Sequence, residues 1–271
     1  MKTNQVIFLG TGTSTGVPMI GCPCQVCQSS DQHNKRMRQS IYMTTKHSRH
    51  ILVDTTPDMR SQFLRSQLTQ LDFCMITHDH ADHLHGIDDV RPFCFGPPNR
   101  DIDIMIFKEH QKIIEDRFPY IFQRQKMFGP EHPYLGGGLP LLNLRVINPG
   151  PQLLHGEPFT IFELPHGHGV TMGLYHEGLA YVVDCHEIPQ DVIGLLKGNT
   201  NILIIDCLQR FPHQTHLHVL KAFEYIREIA PKQCYLTHMN HDLSHTELTK
   251  MAKDQLGAHV VPACDMQQIF Y

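Results

Sequence analysis

No apolar run in this 271-residue chain approaches the ~20 residues that a membrane-crossing helix requires. It has no Lys/Arg block and no basic tail, and its formal net charge is −4. That balance argues against a protein that grips long nucleic acid through phosphate contacts, while a nucleotide-sized substrate stays open. There is no secretory leader pattern: Met1-Lys2-Thr3-Asn4-Gln5 runs straight into an apolar stretch, so the expected location is the cytoplasm. Nine cysteines, an odd number, in a large chain expected in the cytosol argue against a disulfide framework. Internal repeats and low-complexity segments are also missing.

Histidine is what the chain has in excess, with 21 against 23 Lys and Arg together. Many stand in pairs or triplets beside acids, a pattern that first suggests metal. At 41% hydrophobic residues, the length suffices for one large core, and a single domain over residues 1–271 is expected.

The densest cluster is Thr77-His78-Asp79-His80-Ala81-Asp82-His83, which follows the buried-strand pattern Phe73-Cys74-Met75-Ile76. His78 and His80, two apart on an irregular turn, converge on one cation, and Asp82 with His83 faces a second site beside it. Imidazole with carboxylate suits zinc, manganese or iron. A solvated, His-rich turn does not require acids at this spacing directly after an apolar strand.

Gly21-Cys22-Pro23-Cys24-Gln25-Val26-Cys27 reads as a metal clip. Three thiols leave a tetrahedral zinc one ligand short, so the fourth must come from elsewhere in the chain. His241 in His238-Met239-Asn240-His241 is the natural supplier, while His238 closes the second site. Gly10-Thr11-Gly12-Thr13-Ser14-Thr15-Gly16 lacks the Gly-Lys-Ser/Thr ending of a phosphate loop, and reads as tight turns that let backbone pass close to the site.

Strand patterns occupy 6–9, 40–45, 50–54, 73–76, 102–107, 142–147, 159–164, 179–184, 201–205 and 233–237, with strand-like residues over 260–270. Helical spacing occupies 57–68, 108–118, 189–196, 217–229 and 244–256. The aromatic, Gly- and Pro-rich stretch 118–140 has the length of a lid. Asp184 ends an apolar strand, well placed to bridge two cations. Asp54 also ends a strand, either as partner to a metal-bound histidine or as a helix cap. Asp88 and Asp89 are further partners for ligands or for Arg91, and His216 stands near a helix start, where it meets anions or a leaving oxygen.

The hexad His78-Asp79-His80-Ala81-Asp82-His83 resembles the signature of the metallo-β-lactamase-fold hydrolases. That resemblance implies an α/β chain folded as an αββα sandwich, two mixed sheets with helices outside and metals at the sheet edge. Gly10-Thr-Gly-Thr-Ser14, the cysteine clip, the hexad, Asp184 and Thr237-His238-x-x-His241 together look like the PhnP-type phosphodiesterases. The resemblance spans Gly10 to His245. It implies a structural zinc on Cys22, Cys24, Cys27 and His241. It implies one catalytic ion on His78, His80 and either His166 or His168, with His166 favoured, and a second on Asp82, His83 and His238, Asp184 bridging. His216 matches the histidine that assists the phosphodiester step in that family, with His213 and His218 as alternatives. Asp31-Gln32-His33 departs from the Asp-Pro-Arg of many relatives.

The function this implies is a phosphodiesterase with two divalent ions, Mn2+ or Zn2+, that attacks a small cyclic or nucleotide-like phosphodiester with a metal-bound hydroxide. Asp79, without a ligand role in the scheme, is expected to orient or deprotonate the attacking water. Alternatives are a thioester or lactone hydrolase, an RNA-processing nuclease of the same fold, and a non-enzymatic metal-holding scaffold. The expected partner is a small phosphodiester, with no membrane and no long nucleic acid, and a homodimer is the assembly to look for.

Overall fold

The computed structural model describes residues 3–123 and 138–271. Two seven-stranded sheets form its centre. The first runs β14 (Gln268–Phe270), β1 (Gln5–Gly10), β2 (Ser40–Thr44), β3 (His50–Val53), β4 (Phe73–Met75), β5 (Ile102–Ile106), β6 (Leu142–Val146). The second runs β13 (Val260–Pro262), β12 (Gln233–Thr237), β11 (Ile202–Asp206), β10 (Leu179–Val182), β9 (Gly169–His176), β8 (Glu157–His166), β7 (Gly150–Leu154). Each sheet is mixed. Pairing is antiparallel from β14 to β3 and parallel from β3 to β6 in the first. In the second it is antiparallel from β7 to β10 and parallel from β10 to β13.

Strand side chains alternate between two faces, and here both faces are covered, which is why the central strands read as unbroken apolar runs. Ile51, Val53, Phe73 and Met75 of the first sheet meet Ile161, Leu174, Tyr181 and Ile204 of the second in the inner core. Their neighbours Leu52, Cys74 and Ile104 point the other way, onto Met59 and Phe63 of helix Met59–Ser66 and onto Ile114. On the far side Leu203, Ile205 and Leu236 pack against helices Gln190–Leu196, Val219–Ile229 and His245–Leu256. The layers are therefore helix, sheet, sheet, helix, the αββα arrangement.

Two strands escape the sequence patterns, β7 and β9, and residues 260–270 are not one strand. The chain leaves β13 in the second sheet and joins β1 in the first as β14. Between them Asp265 accepts hydrogen bonds from the backbone N–H groups of Thr11 (2.9 Å) and Met37 (2.7 Å), which fixes the crossing. The 118–140 stretch begins as a short helix, Pro119–Phe122, and residues 124–137 of that expected lid lie outside the described residues. Among the described residues, no helix is long and apolar enough to cross a membrane.

The ends of β3, β4, β8, β10, β11 and β12 come to one edge of the sandwich. The parallel pairings β3–β4 and β10–β11–β12 put successive C-terminal ends side by side, and that edge carries the hexad.

Candidate metal centre

Three groups of donor atoms gather along this edge, each with its members within 4.8 Å of one another. His78, His80 and His166 form the first; Asp82, His83, Asp184 and His238 the second; Asp184, Asp206, His216 and His238 the third. Asp184 stands between the first two. Its Oδ2 is 3.5 Å from His78 Nε2 and 2.8 Å from His83 Nε2, and its Oδ1 is 3.0 Å from His238 Nε2. Asp82 Oδ2 is 3.2 Å from His83 Nε2 and 3.9 Å from His238 Nε2. His166 Nε2 lies 3.4 Å from His80 Nδ1, and its Nδ1 donates to the Thr215 carbonyl at 2.8 Å. His168, the alternative at this position, is exposed and belongs to no donor group. Two residues further along a turn, it faces solvent instead of Thr215.

Behind the donors sits a fully buried carboxylate, Asp54, at the end of β3. Its Oδ2 accepts from His83 Nδ1 at 2.7 Å, and its Oδ1 accepts from the Thr77 N–H at 2.8 Å. The Thr77 hydroxyl donates to the same carboxylate at 3.0 Å and lies 3.0 Å from His78 Nδ1, whose N–H it accepts. One carboxylate thus fixes two imidazoles, directly and through a hydroxyl, and leaves both Nε2 lone pairs facing the cluster. Asp54 is therefore no helix cap; helix Met59–Ser66 starts after Asp58.

On the other flank Asp206 holds one imidazole, His216, and stands near a second, His238. Its Oδ2 is 3.0 Å from His216 Nδ1 and its Oδ1 3.8 Å from His238 Nδ1. His216 stacks on His238 with ring centroids 4.9 Å apart and planes 15° apart. A signal was present: Leu52-Val53-Asp54, Val182-Val183-Asp184 and Ile204-Ile205-Asp206 are three apolar runs that end in Asp, and all three carboxylates are at the site.

Asp79, expected to orient or deprotonate the attacking water, is held from the side. Its Oδ1 is 2.9 Å from His110 Nδ1 and its Oδ2 is 3.5 Å from Arg117 Nη2, while Arg117 Nη1 donates to its carbonyl. Both oxygens are engaged by helix Lys108–Arg117, so in this structure Asp79 braces the hexad. Arg91 donates to the Gly138 carbonyl at 3.4 Å, and Asp88 accepts from Tyr120, so neither takes part in the pairing expected between them.

The charge pattern fits cations. Burial opposes charge on His83 and His238, but the facing carboxylates outweigh it. Asp184, Asp82 and Asp54 lift His83 well above the usual histidine range, and Asp184 leads in lifting His238 to about 10. Burial also opposes ionisation of Asp184 and Asp82, yet the neighbouring imidazoles hold both carboxyls below the usual carboxylate range. His78 and His166, with fewer carboxylates nearby, are pushed down by burial, His166 to about 4, and stay neutral. His78 Nε2, His83 Nε2, His238 Nε2 and Asp184 Oδ1 are buried and hydrogen-bonded to nothing, despite their mutual proximity. Polar atoms left so in a core cost roughly 1–3 kcal/mol each, and a divalent ion shared between imidazole and carboxylate removes that cost. The donor set fits the metals.

The clip also assembles. His241 Nδ1 is 3.5 Å from Cys22 Sγ and 3.3 Å from Cys24 Sγ, and Cys22, Cys24, Cys27 and His241 form a fourth donor group. The Cys27 N–H, donating to Cys24 Sγ at 3.4 Å, and then His241 pull the Cys24 thiol down to about 6; burial pushes Cys27 up to about 11. Three sulfurs and one imidazole are a closed, four-donor set of the kind that holds structural zinc.

Comparison with known proteins bears on the fold and the family. A family model described as the beta-lactamase superfamily domain matches residues 49–239. A solved diphosphatase of the PhnP family is 30% identical, covers 99% of this chain and 98% of its own, and superposes with a TM-score of 0.85. Zn2+-bound PqqB from Methylobacterium extorquens superposes at 0.76 over 98% of this chain and 99% of its own; at 15% identity it shows the fold alone. A curated octanoyltransferase from Porphyromonas gingivalis is 33% identical over 258 residues, 94% of this chain and 49% of that protein. The chain thus spans about half the length of that relative. The segment matched by the family model runs from β3 to the loop after β12 and takes in the hexad, Asp184 and His238 alike: the chain belongs to the metallo-β-lactamase superfamily.

Proposed function

We propose that the chain is a two-metal phosphodiesterase that cleaves a small phosphodiester or a diphosphate-linked molecule. The observation that carries this reading is Asp184, whose carboxylate faces His78 and His83 with one oxygen and His238 with the other, so that two donor groups share one acid. His78, His80 and His166 would hold one ion, Asp82, His83 and His238 the other, with Asp184 common to both. Two divalent ions side by side supply activated water and neutralise phosphoryl oxygens during in-line displacement. An all-nitrogen-and-oxygen set admits Mn2+ as well as Zn2+, whereas the sulfur-rich clip selects Zn2+.

The chain's own residues do the rest. Asp54 keeps the His83 proton on Nδ1, so Nε2 stays a donor atom. Asp206 takes the Nδ1 side of His216 and aims its ring along His238, which leaves Nε2 to hand a proton to the departing alkoxide. His216 retains limited solvent contact, with 12% of its side chain exposed, enough to be reprotonated between turnovers. The similarity to a PhnP-family diphosphatase supports phosphorus–oxygen cleavage.

A second reading, hydrolysis of an acyl ester or thioester, is favoured by the octanoyltransferase relative, although that name describes a protein of about twice this length. A panel of cyclic phosphates, linear phosphodiesters, diphosphate-linked compounds and acyl thioesters, offered to the metal-loaded protein, decides between them. Turnover of the thioesters with none of the phosphorus compounds would sink the phosphodiesterase reading.

A further inference from the structure

His238 and His241 are three residues apart in one loop, yet they serve different donor groups: His238 faces Asp184 at 3.0 Å and His241 faces the clip thiols. Whatever fixes this loop therefore fixes both. Its backbone is tied on two sides, with Met239 N donating to Thr11 O at 2.9 Å, Thr13 N to Met239 O at 3.1 Å and Asn240 N to Leu208 O at 2.9 Å.

The third side is Arg36. It is 2% exposed, and its Nη1 donates to the Asn240 carbonyl at 2.5 Å and its Nη2 to the Leu243 carbonyl at 3.1 Å. These two carbonyls flank His241. Nη2 also lies 3.4 Å from Asn34 Oδ1, while Nε has no partner. Among the described residues, no carboxylate comes within ion-pair distance of this guanidinium. The Arg36 backbone pairs with Val17 in both directions, at 2.8 and 2.7 Å. Gly12 passes so close that a Cβ there would lie 2.9 Å from both Arg36 Cβ and Arg36 O. Arg36 is wedged between the glycine loop, the clip segment and the histidine loop.

A buried cation without a paired acid is expensive, so its retention calls for a counter-charge. The clip provides one. Asp265 is foremost among the charges that reach Arg36, followed by Cys207, Asp31 and Cys27 of the clip, and a filled clip, three thiolates and a neutral imidazole around one divalent ion, adds a net negative charge on that side. A fixed fork that spans two carbonyls is a task for guanidinium and not for ammonium.

We propose that Arg36 is a positioning residue that locks the 238–241 loop, so that filling the clip sets how tightly the Asp82–His83–His238 group holds its ion. The inference rests on the two-metal reading above. The test is a Co2+ titration of the full chain followed by visible absorption, in which thiolate-bound cobalt in the clip is distinguishable from cobalt held by nitrogen and oxygen. In Arg36→Met the second nitrogen/oxygen ion should bind about tenfold or more weakly than in the wild type, with the first unchanged. Arg36→Lys, able to satisfy one carbonyl at a time, should recover only part of the loss. Wild-type protein whose clip has been emptied by a mercurial should show the same weakening, and it decides alone if Arg36→Met does not fold. Unchanged second-ion affinity in either arm overturns the proposal. Wild type that binds no ion outside the clip brings down the two-metal reading and this inference with it, a result distinct from an unaltered Arg36→Met.

Discussion

Asp54→Asn isolates the carboxylate behind the hexad with little other disturbance. Asp54 has φ = 70°, and Asn accepts left-handed backbone as readily as Asp, so no strain is added. The amide oxygen can still accept from the Thr77 N–H, now at 2.8 Å. The amide NH2 then takes the place of Oδ2, which receives the His83 Nδ1–H at 2.7 Å. Two donors face each other, and the imidazole relieves the clash by moving its proton to Nε2. That nitrogen is the one aimed at Asp82 and Asp184, so the second group loses a donor. Disturbing such outer partners weakens metal binding by about 10- to 100-fold, or about 1.4–2.7 kcal/mol. The loss should be lopsided, because His78 reaches Asp54 only through the Thr77 hydroxyl, which can donate to the amide oxygen. Calorimetric titration of the metal-free protein with Mn2+ or Zn2+ should show one of two ions displaced to higher concentration and the other in place, with thermal unfolding as the control for folding. Equal weakening of both ions, or of neither, would refute the assignment of Asp54 to His83.

Metal binding at pH 7 should release protons, because the metal-free protein holds them on His83, whose pKa is raised, and on His238, raised to about 10. The apparent affinity should therefore climb with pH toward about 10, and a binding enthalpy independent of the buffer's own ionisation heat at pH 7 would contradict it. His216→Gln should lower kcat by about 10²–10⁴-fold for substrates with alkoxide leaving groups, and far less for bis-p-nitrophenyl phosphate, whose phenolate leaves without a proton. Equal losses on both would remove His216 from the proton-donor role. Asp79→Asn should leave the acidic limb of the pH–rate profile where it is and reduce turnover much less than Asp184→Asn, since Asp79 is engaged with His110 and Arg117. Disappearance of that limb would restore Asp79 as the base.

The sequence reveals the elements whose signals are local. Apolar runs bounded by turn residues mark the central strands, and Ser244 with Glu247, a reciprocal capping box, marks the last helix. β9 carries Gly173 in its middle, a residue with no side chain to add to an apolar pattern. In the fold it is a packing requirement: a Cβ there would come within 2.1 Å of the Phe162 ring on neighbouring β8. The same limit applies at the site. The hexad is legible because its six residues are contiguous. The choice of His166 over His168 depends on the Thr215 carbonyl, 49 positions away, and the bracing of Asp79 depends on Arg117, 38 positions away. No spacing rule contains those partners.

Backbone conformation explains how donors so far apart in sequence meet. Asp54, Asp184 and His238 lie just past the ends of β3, β10 and β12, and all three have left-handed backbone, with φ of 70°, 56° and 57°. Gln67 and Ala230 also adopt it, but they end helices, where a left-handed residue is an ordinary stop. At the three strand ends no helix asks for it, and for side chains other than glycine it costs of order 1–3 kcal/mol each. Such a cost persists only where the surroundings enforce it. Here each residue follows a strand paired in parallel with a neighbour, and each side chain is buried against a partner: Asp54 on Thr77 and His83, Asp184 on His83 and His238, His238 beside Asp206. The backbone turn, more than the side-chain rotamer, carries the donors over the sheet edge. A β-branched residue at any of the three would therefore lose the ligand and strain the main chain together. Asn at 54 or 184, which keeps the turn, separates the two effects.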